Sequence, residues 1–313
     1  MAERAIPLVD LSTFESGDAV SREAFVKDLS TAFREIGFVG ITGHGVRSGL
    51  IKEFYTAAKA FFALPEEAKK KYELEGAAGQ RGYTSFGKEH AKHSQVADLK
   101  EFFQIGQETE GMTLKERNPP VEEVPDFLTL GLELYRAFES RGNLLLEAIA
   151  IHLGLPETYF SAITKDGMSI LRAIHYPPIT EEPASALRAE QHEDINLITL
   201  LVGASAGGLQ LKNQKGEWQE IIPENDEIVI NVGDMLQRLT NNYFKSTTHR
   251  VVNPPREDWH KPRLSIPFFL HPQPSTSLNV LESCITKDRP IHYPPITAIE
   301  YLHERLREIG LKV

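Results

Sequence analysis

The chain has one cysteine, Cys284, in 313 residues. No intrachain disulfide can form and no thiolate cluster can be built, so any bound metal must be held by His, Asp or Glu. A nucleophilic role for Cys284 would need a histidine brought beside it in space, and an inert thiol is the commoner case. Basic residues are also few: 34 Lys and Arg stand against 44 Asp and Glu, for a formal charge of −10 and a pI near 5.6. That balance argues against a broad nucleic-acid-binding face and leaves only a local basic patch open. Long hydrophobic runs are missing as well. No window reaches roughly eighteen uncharged apolar residues, and Met1 leads into charged and mixed residues without a basic-then-apolar leader. A soluble cytoplasmic protein with neither membrane nor nucleic-acid partner is expected, and no motif sets an oligomeric state.

The apolar content that is present, 41% hydrophobic with aromatics spread along the chain, suffices for a sizeable core in one large or two modest domains. In the first half the apolar residues recur at helical spacing. Phe25, Leu29, Phe33 and Ile36 mark one face of a helix over Ser21 to Ile36, and further helices are expected over Arg47 to Phe62, Pro65 to Tyr72, Val124 to Leu153 and Pro156 to Ile163. Lys69, Lys70 and Lys71 read as a solvated helix end. Ile6 to Leu11, Phe38 to Ile41 and Asp98 to Ile105 are strand candidates, Glu110 to Pro120 is a polar connection, and Gly76 to Gly87 reads as a mobile glycine-rich loop. His44, in a turn, and His152, at the edge of the long helix, read as locally satisfied histidines.

From Met168 the period changes to two. Strands are expected over Met168 to Tyr176, Asn196 to Val202, Gly208 to Lys212, Trp218 to Ile222, Glu227 to Val232, Ser246 to Val252 and Arg263 to Phe269. Turns fall at Gly203 to Gly207, Asn213 to Gly216, Pro223 to Asp226 and Asn253 to Pro255, and a helix over Pro294 to Glu308 closes the chain. Many short strands of this kind read as an antiparallel sandwich, jelly roll or barrel. The natural division is 1–120, helices with short strands, and 121–313, the long helix, the β core and the terminal helix.

His192 and Asp194 stand at the mouth of the apolar run Ile195 to Leu201. On a strand, i and i+2 side chains share a face about 6–7 Å apart, so these two point together and Glu193 points away. The pair alone is weak, since eleven histidines and eleven aspartates in 313 residues give about 0.4 His-x-Asp by chance. His249, in Thr247-Thr248-His249-Arg250-Val251, supplies a third donor several strands later, where a jelly-roll strand can return beside the first. Two imidazoles and a carboxylate on one side of an ion leave neighbouring coordination positions open, the pattern of non-haem Fe(II) oxygenases; Mn, Co, Ni or Zn suit the same donors. On spacing alone, ordinary strand histidines account for the pattern equally well. Arg263 and Ser265, again i and i+2, put a guanidinium and a hydroxyl on one face, a receptor for a carboxylate. Tyr176 and Arg172, on the preceding strand, are further donors for that acid, Arg172 being equally readable as a surface residue.

These motifs, with Gly207-Gly208-Leu209-Gln210 and Asn231-Val232-Gly233-Asp234-Met235-Leu236-Gln237, resemble the isopenicillin N synthase-like family of Fe(II)/2-oxoglutarate-dependent dioxygenases. Gly37-Phe38 and His44-Gly45-Val46 are similar to that family's N-terminal region, so the resemblance spans nearly the whole chain. It implies an α+β fold: a double-stranded β-helix (jelly roll) core with flanking helices and an N-terminal α/β region. It implies an oxidoreductase with Fe(II) on His192, Asp194 and His249, and 2-oxoglutarate with its distal carboxylate on Arg263 and Ser265, near Tyr176 and Arg172. O₂ would be the oxidant and ascorbate a stimulant. The implied reaction turns 2-oxoglutarate into succinate and CO₂ while a C–H bond of a small-molecule substrate is oxidised, and the carboxylate ligand Asp194 argues against halogenation. Tyr83, Phe86, Phe103, Phe268 and the chain end are the expected substrate walls. Two alternatives stay open: an oxidase of the isopenicillin N synthase type, in which Arg263 and Ser265 hold a substrate carboxylate, and a non-catalytic jelly roll that senses metal and acid. Neither the substrate nor the outcome, whether hydroxylation, desaturation or ring closure, is written in a readable motif.

Overall fold

The computed structural model describes residues 4–76, 80–90, 96–113, 117–202, 205–224 and 226–309. Parts of the Gly76 to Gly87 loop, the Glu110 to Pro120 connection and the turns at Gly203 to Gly207 and Pro223 to Asp226 lie outside the described residues. In chain order the strands are β1 (Leu8–Asp10), β2 (Phe38–Thr42), β3 (Gly82–Thr84), β4 (Glu101–Gly106), β5 (Ile170–Tyr176), β6 (Ala189–His192), β7 (Ile198–Val202), β8 (Leu209–Lys212), β9 (Trp218–Glu220), β10 (Ile228–Val232), β11 (His249–Val251) and β12 (Arg263–Leu270). The helices are α1 (Leu11–Ser16), α2 (Ala19–Glu35), α3 (Leu50–Phe62), α4 (Glu66–Lys70), α5 (Asp126–His152), α6 (Tyr159–Thr164), α7 (Asp234–Leu239) and α8 (Ala298–Glu308).

Among the described residues the strands form an eight-stranded sheet in the order β1-β2-β10-β7-β12-β5-β4-β3 and a four-stranded sheet in the order β6-β11-β8-β9. Only the β1–β2 pair is parallel. The two sheets pack through a small apolar cluster that joins Phe38, Phe102, Ile174 and Val229 of the large sheet to Ala189, Leu209, Leu211 and Val251 of the small one. This is the jelly-roll core, and the four N-terminal strands complete its larger sheet.

The other face of the large sheet is covered by α5. Gly131 and Gly142 permit the approach: a Cβ would come 2.2 Å from Ile105 Cδ1 at the first and 2.8 Å from Leu270 Cδ2 at the second. Burial on that side sets the parity of three strands. Phe103 and Ile105 of β4, Leu171 and Ala173 of β5, and Leu264, Ile266, Phe268 and Leu270 of β12 enter the large core under the helices. Their alternate neighbours therefore face the interior between the sheets. Terminal helix α8 begins with a capping box, Thr297 and Glu300 bonding each other's backbone N–H.

Four expectations are corrected. Gly76 to Gly87 is not all loop, because β3 pairs there with β4. Lys69 leaves the solvated helix end: it is buried and bonds Glu101 Oε2 at 2.7 Å. Strand β6 and helix α7, too short for a periodic signal, were not expected. The run Ile195 to Leu201 is strand only from Ile198, since Asp194, Asn196 and Leu197 bond their carbonyls to the backbone N–H groups of Asp234, Met235 and Gly233 at the start of α7. Gly233 permits this, a Cβ there lying 2.2 Å from the Asn196 carbonyl oxygen.

Candidate active site

His192 ends β6 and His249 opens β11, and the two are directly paired across the small sheet, with ring centroids 4.4 Å apart. Asp194 is not on their strand. It sits in the bend between β6 and β7, so a turn and not strand alternation brings its carboxylate to the imidazoles. Asp194 Oδ1 lies 3.9 Å from His192 Nε2 and 3.8 Å from His249 Nε2. One donor atom from each of the three lies within 4.8 Å of the others.

The neighbouring bonds orient all three. Nδ1 of His192 donates to the Glu190 carbonyl (2.7 Å) and Nδ1 of His249 to the Thr247 carbonyl (3.1 Å). A carbonyl only accepts, so each Nδ1 carries the proton and each Nε2 offers a lone pair. Burial, then the adjacent His192, hold the His249 imidazole below its ordinary pKa, hence neutral. Asp194 Oδ2 accepts from Thr199 Oγ1 (2.6 Å) and Asn231 Nδ2 (2.8 Å), which leaves Oδ1 as its free donor. Burial would push this carboxyl up, but the two imidazoles and then Asn231 and Thr199 hold it below the usual carboxylate range. Glu193 borders the same cavity, but its carboxylate takes the Thr248 hydroxyl and it stands outside the donor set.

The three donors open into a cavity of about 200 Å³ between the sheets. Arg263, Ser265, Pro267, Phe269 and His271, the inward row of β12 and its continuation, form one wall, and Leu302, Arg305, Leu306 and Ile309 of the terminal helix and its end form another. At one end Arg263 is fully buried, its Nε donating to the carbonyls of Ala206 (3.1 Å) and Gly207 (3.2 Å). Its guanidinium stacks 5.0 Å over Tyr176, its register partner on β5, while its Nη1 has no partner among the described residues. Arg188 is a second buried guanidinium; burial and then the charge of Arg263 pull its pKa down to about 10. Neither forms an ion pair with a carboxylate among the described residues, so this end carries uncompensated positive charge.

Other expected positions fall elsewhere. Arg172 lies four residues along β5 from Tyr176, about 13 Å at strand rise. There it bonds Gln104 Oε1 (2.8 Å) and Glu89 (3.2 Å) and is not part of the Arg263 end. Tyr83, Phe103 and Phe268 do not line the cavity: they belong to the core under the helices, where Phe103 packs on Phe61 and Phe127, Phe268 on Tyr135, and the Tyr83 hydroxyl donates to Glu101. Parity is the reason, since Gln104 and Phe269, one residue on, face inward. Phe86 is half exposed and also outside the lining. Toward the chain end, residues up to Ile309 do form a wall. His44 accepts from the Val46 N–H (3.1 Å), His152 bonds the Tyr243 hydroxyl (2.8 Å), and Cys284 is buried with its thiol pKa raised by burial. Thr199, Gln104 and His271 were missed, although a count in twos from Arg263 reaches His271.

Fold and donor set suit a mononuclear, non-haem metal site in a jelly roll, beside a pocket end that carries two buried guanidinium groups. Residues 167–272 match the model of the 2OG-Fe(II) oxygenase superfamily, and residues 6–126 match that of the non-haem dioxygenase in morphine synthesis N-terminal region. A 2-oxoglutarate-Fe(II) type oxidoreductase of Emericella nidulans is 31% identical, over 95% of this chain and 88% of its own. A solved 2OG-Fe(II) oxygenase family protein from Caulobacter crescentus is 41% identical, with a TM-score of 0.86 over 98% of this chain and 100% of its own. A Neurospora crassa protein solved in complex with α-KG is 29% identical, with a TM-score of 0.86 over 98% of this chain and 97% of its own. The chain belongs to the 2-oxoglutarate- and Fe(II)-dependent oxygenase superfamily. It is an oxidoreductase whose cofactors are Fe(II) and 2-oxoglutarate, and two lone-pair imidazole nitrogens with one free carboxylate oxygen are a donor set that suits the metal.

Thr199 and Asn231 set the orientation of the Asp194 carboxylate. Thr199→Val or Asn231→Ala takes one of the two hydrogen bonds from Oδ2 and loosens the carboxylate, so Fe(II) affinity or turnover should fall about 10- to 100-fold. Fe(II) titration of the two variants checks this, and unchanged affinity in both would remove their orienting role.

Proposed function

We propose that this protein oxidises a C–H bond of a small molecule while 2-oxoglutarate is converted to succinate and CO₂. His192, Asp194 and His249 hold Fe(II), and Arg263 with Ser265 takes the distal carboxylate of 2-oxoglutarate, with Tyr176 as the floor beneath the guanidinium. The observation that carries this reading is the unpartnered Nη1 of a fully buried Arg263, in the same cavity as the three metal donors. A buried cation without a counter-ion is costly, and a dicarboxylic acid of the right length relieves it. When bound, Fe(II) supplies the O₂ chemistry. The side chains orient the acid and, through α8, close one side of the cavity. The Neurospora crassa relative has also been solved with α-KG and thymine together, which supports a small-molecule substrate here.

Succinate formation from 2-oxoglutarate, assayed with Fe(II) and ascorbate against a metabolite panel, tests the proposal. Chelation should abolish turnover and added Fe(II), but not Zn(II), should restore it. If substrate is consumed with no succinate formed, Arg263 and Ser265 hold the substrate's own carboxylate and the proposal is wrong.

A further inference from the structure

Away from Arg263 and the metal donors, the cavity wall carries two buried polar atoms without partners among the described residues: Gln104 Nε2 and His271 Nε2. Both residues are buried, Gln104 at 0% and His271 at 5% exposure. Their chemistry is fixed by their other contacts. Gln104 Oε1 accepts from Arg172 Nε at 2.8 Å, which requires the oxygen on that side and leaves the NH₂ as the unpartnered donor. His271 Nδ1 donates to the Phe269 carbonyl at 3.1 Å, so Nε2 carries the lone pair. Burial drives the His271 pKa down to about 4, so the ring stays a neutral acceptor near neutral pH. Native interiors seldom leave such atoms unpaired, and at the wall of a binding cavity a ligand can supply the missing partner.

The charges around Gln104 say which kind. Lys100 Nζ lies 2.7 Å from Glu89 and 2.8 Å from Asp98, and Arg172 Nη1 lies 3.2 Å from Glu89. Burial opposes the charge of Glu89, yet Arg172 and Lys100 hold it ionised with a pKa of about 2. Two acids and two bases therefore cancel at this wall among the described residues. A carboxylate placed here would be a buried charge without a counter-ion, in contrast to the Arg263 end. Arg172 itself is stacked between Phe102 (4.1 Å) and Phe269 (5.3 Å), so it is held in place for Glu89 and Gln104.

Resting on the function proposed above, we infer that Gln104 and His271 select a small neutral substrate that presents both a carbonyl and an N–H, as cyclic amides and imides do, and that carboxylates are rejected. Gln104 donates to the carbonyl, and His271 accepts from the N–H.

Calorimetry on the full chain loaded with Mn(II) and 2-oxoglutarate tests this without turnover. Glutarimide and δ-valerolactam are titrated against cyclopentanecarboxylate and cyclohexanecarboxylate. At least one neutral ring is expected to bind about tenfold or more tightly than either carboxylate. Gln104→Met removes the donor, together with the acceptor for Arg172, and adds no charge, and His271→Phe removes the acceptor. Each should weaken the neutral ring about tenfold or more relative to 2-oxoglutarate, and His271→Gln, which restores an acceptor, should recover part of the loss. Carboxylates binding as well as the neutral rings, neither ring binding, or both substitutions leaving ring binding intact would each overturn the inference. Failure of the chain to bind 2-oxoglutarate in the same instrument would instead overturn the functional reading on which it rests.

Discussion

Asp194→Ala is expected to reduce Fe(II)-dependent turnover by about 10³-fold or more. A catalytic metal contributes several kcal/mol to transition-state stabilisation, and each 1.4 kcal/mol is tenfold in rate. The substitution removes the one carboxylate donor from a set in which the two histidines are register partners across β6 and β11. It also strips the Thr199 hydroxyl and the Asn231 amide of their acceptor, a buried loss of roughly 1–3 kcal/mol of stability. Thermal unfolding should therefore be followed beside iron content and succinate release. His192→Ala should fail in the same assay for a different reason, because the half-exposed ring gives up a metal bond but orphans only one backbone carbonyl. Full iron-dependent activity in either variant would refute the ligand assignment.

Arg263→Ala should raise the apparent KM for 2-oxoglutarate about 30-fold or more, as expected for truncating one side of a buried charge pair at about 2–5 kcal/mol. Arg263→Lys should recover little of this. The fork is held by two carbonyls through Nε and stacked on Tyr176, and a lysine ammonium can reproduce neither contact. A second consequence is electrostatic: without the neighbouring cation, the Arg188 pKa should rise back toward its ordinary value. Steady-state kinetics against 2-oxoglutarate at saturating Fe(II) measures the effect, and an unchanged KM in Arg263→Ala would exclude the clamp.

Much of the site was legible before any coordinates. The order His192-x-Asp194, His249, Arg263-x-Ser265 carries residue types that suit an ion and an acid, and the structure brings all five to one cavity. The long helix, the strands of the β half and the terminal helix were legible as well, because each repeats its period over enough residues. The elements that escaped are short: β6 has four residues, β3 three and α7 six, and they exist because partners distant in sequence complete their hydrogen bonds.

The sequence by itself determined the type and order of the side chains proposed to bear the chemistry and that β4, β5 and β12 alternate. Tertiary structure decided which of the two alternating faces looks into the cavity. Nothing local distinguishes Phe103 from Gln104 or Phe268 from Phe269 as a wall, because a period of two is unchanged by a shift of one. The large core under α5 breaks that symmetry: it buries Phe103 and Phe268 and so leaves Gln104, Phe269 and His271 to the cavity. Tertiary structure likewise placed Asp194, whose carboxylate meets the histidines through a turn held by α7, Thr199 and Asn231 and not through strand alternation. Side-chain identity is a property of the chain, whereas facing is a property of what packs on the other side.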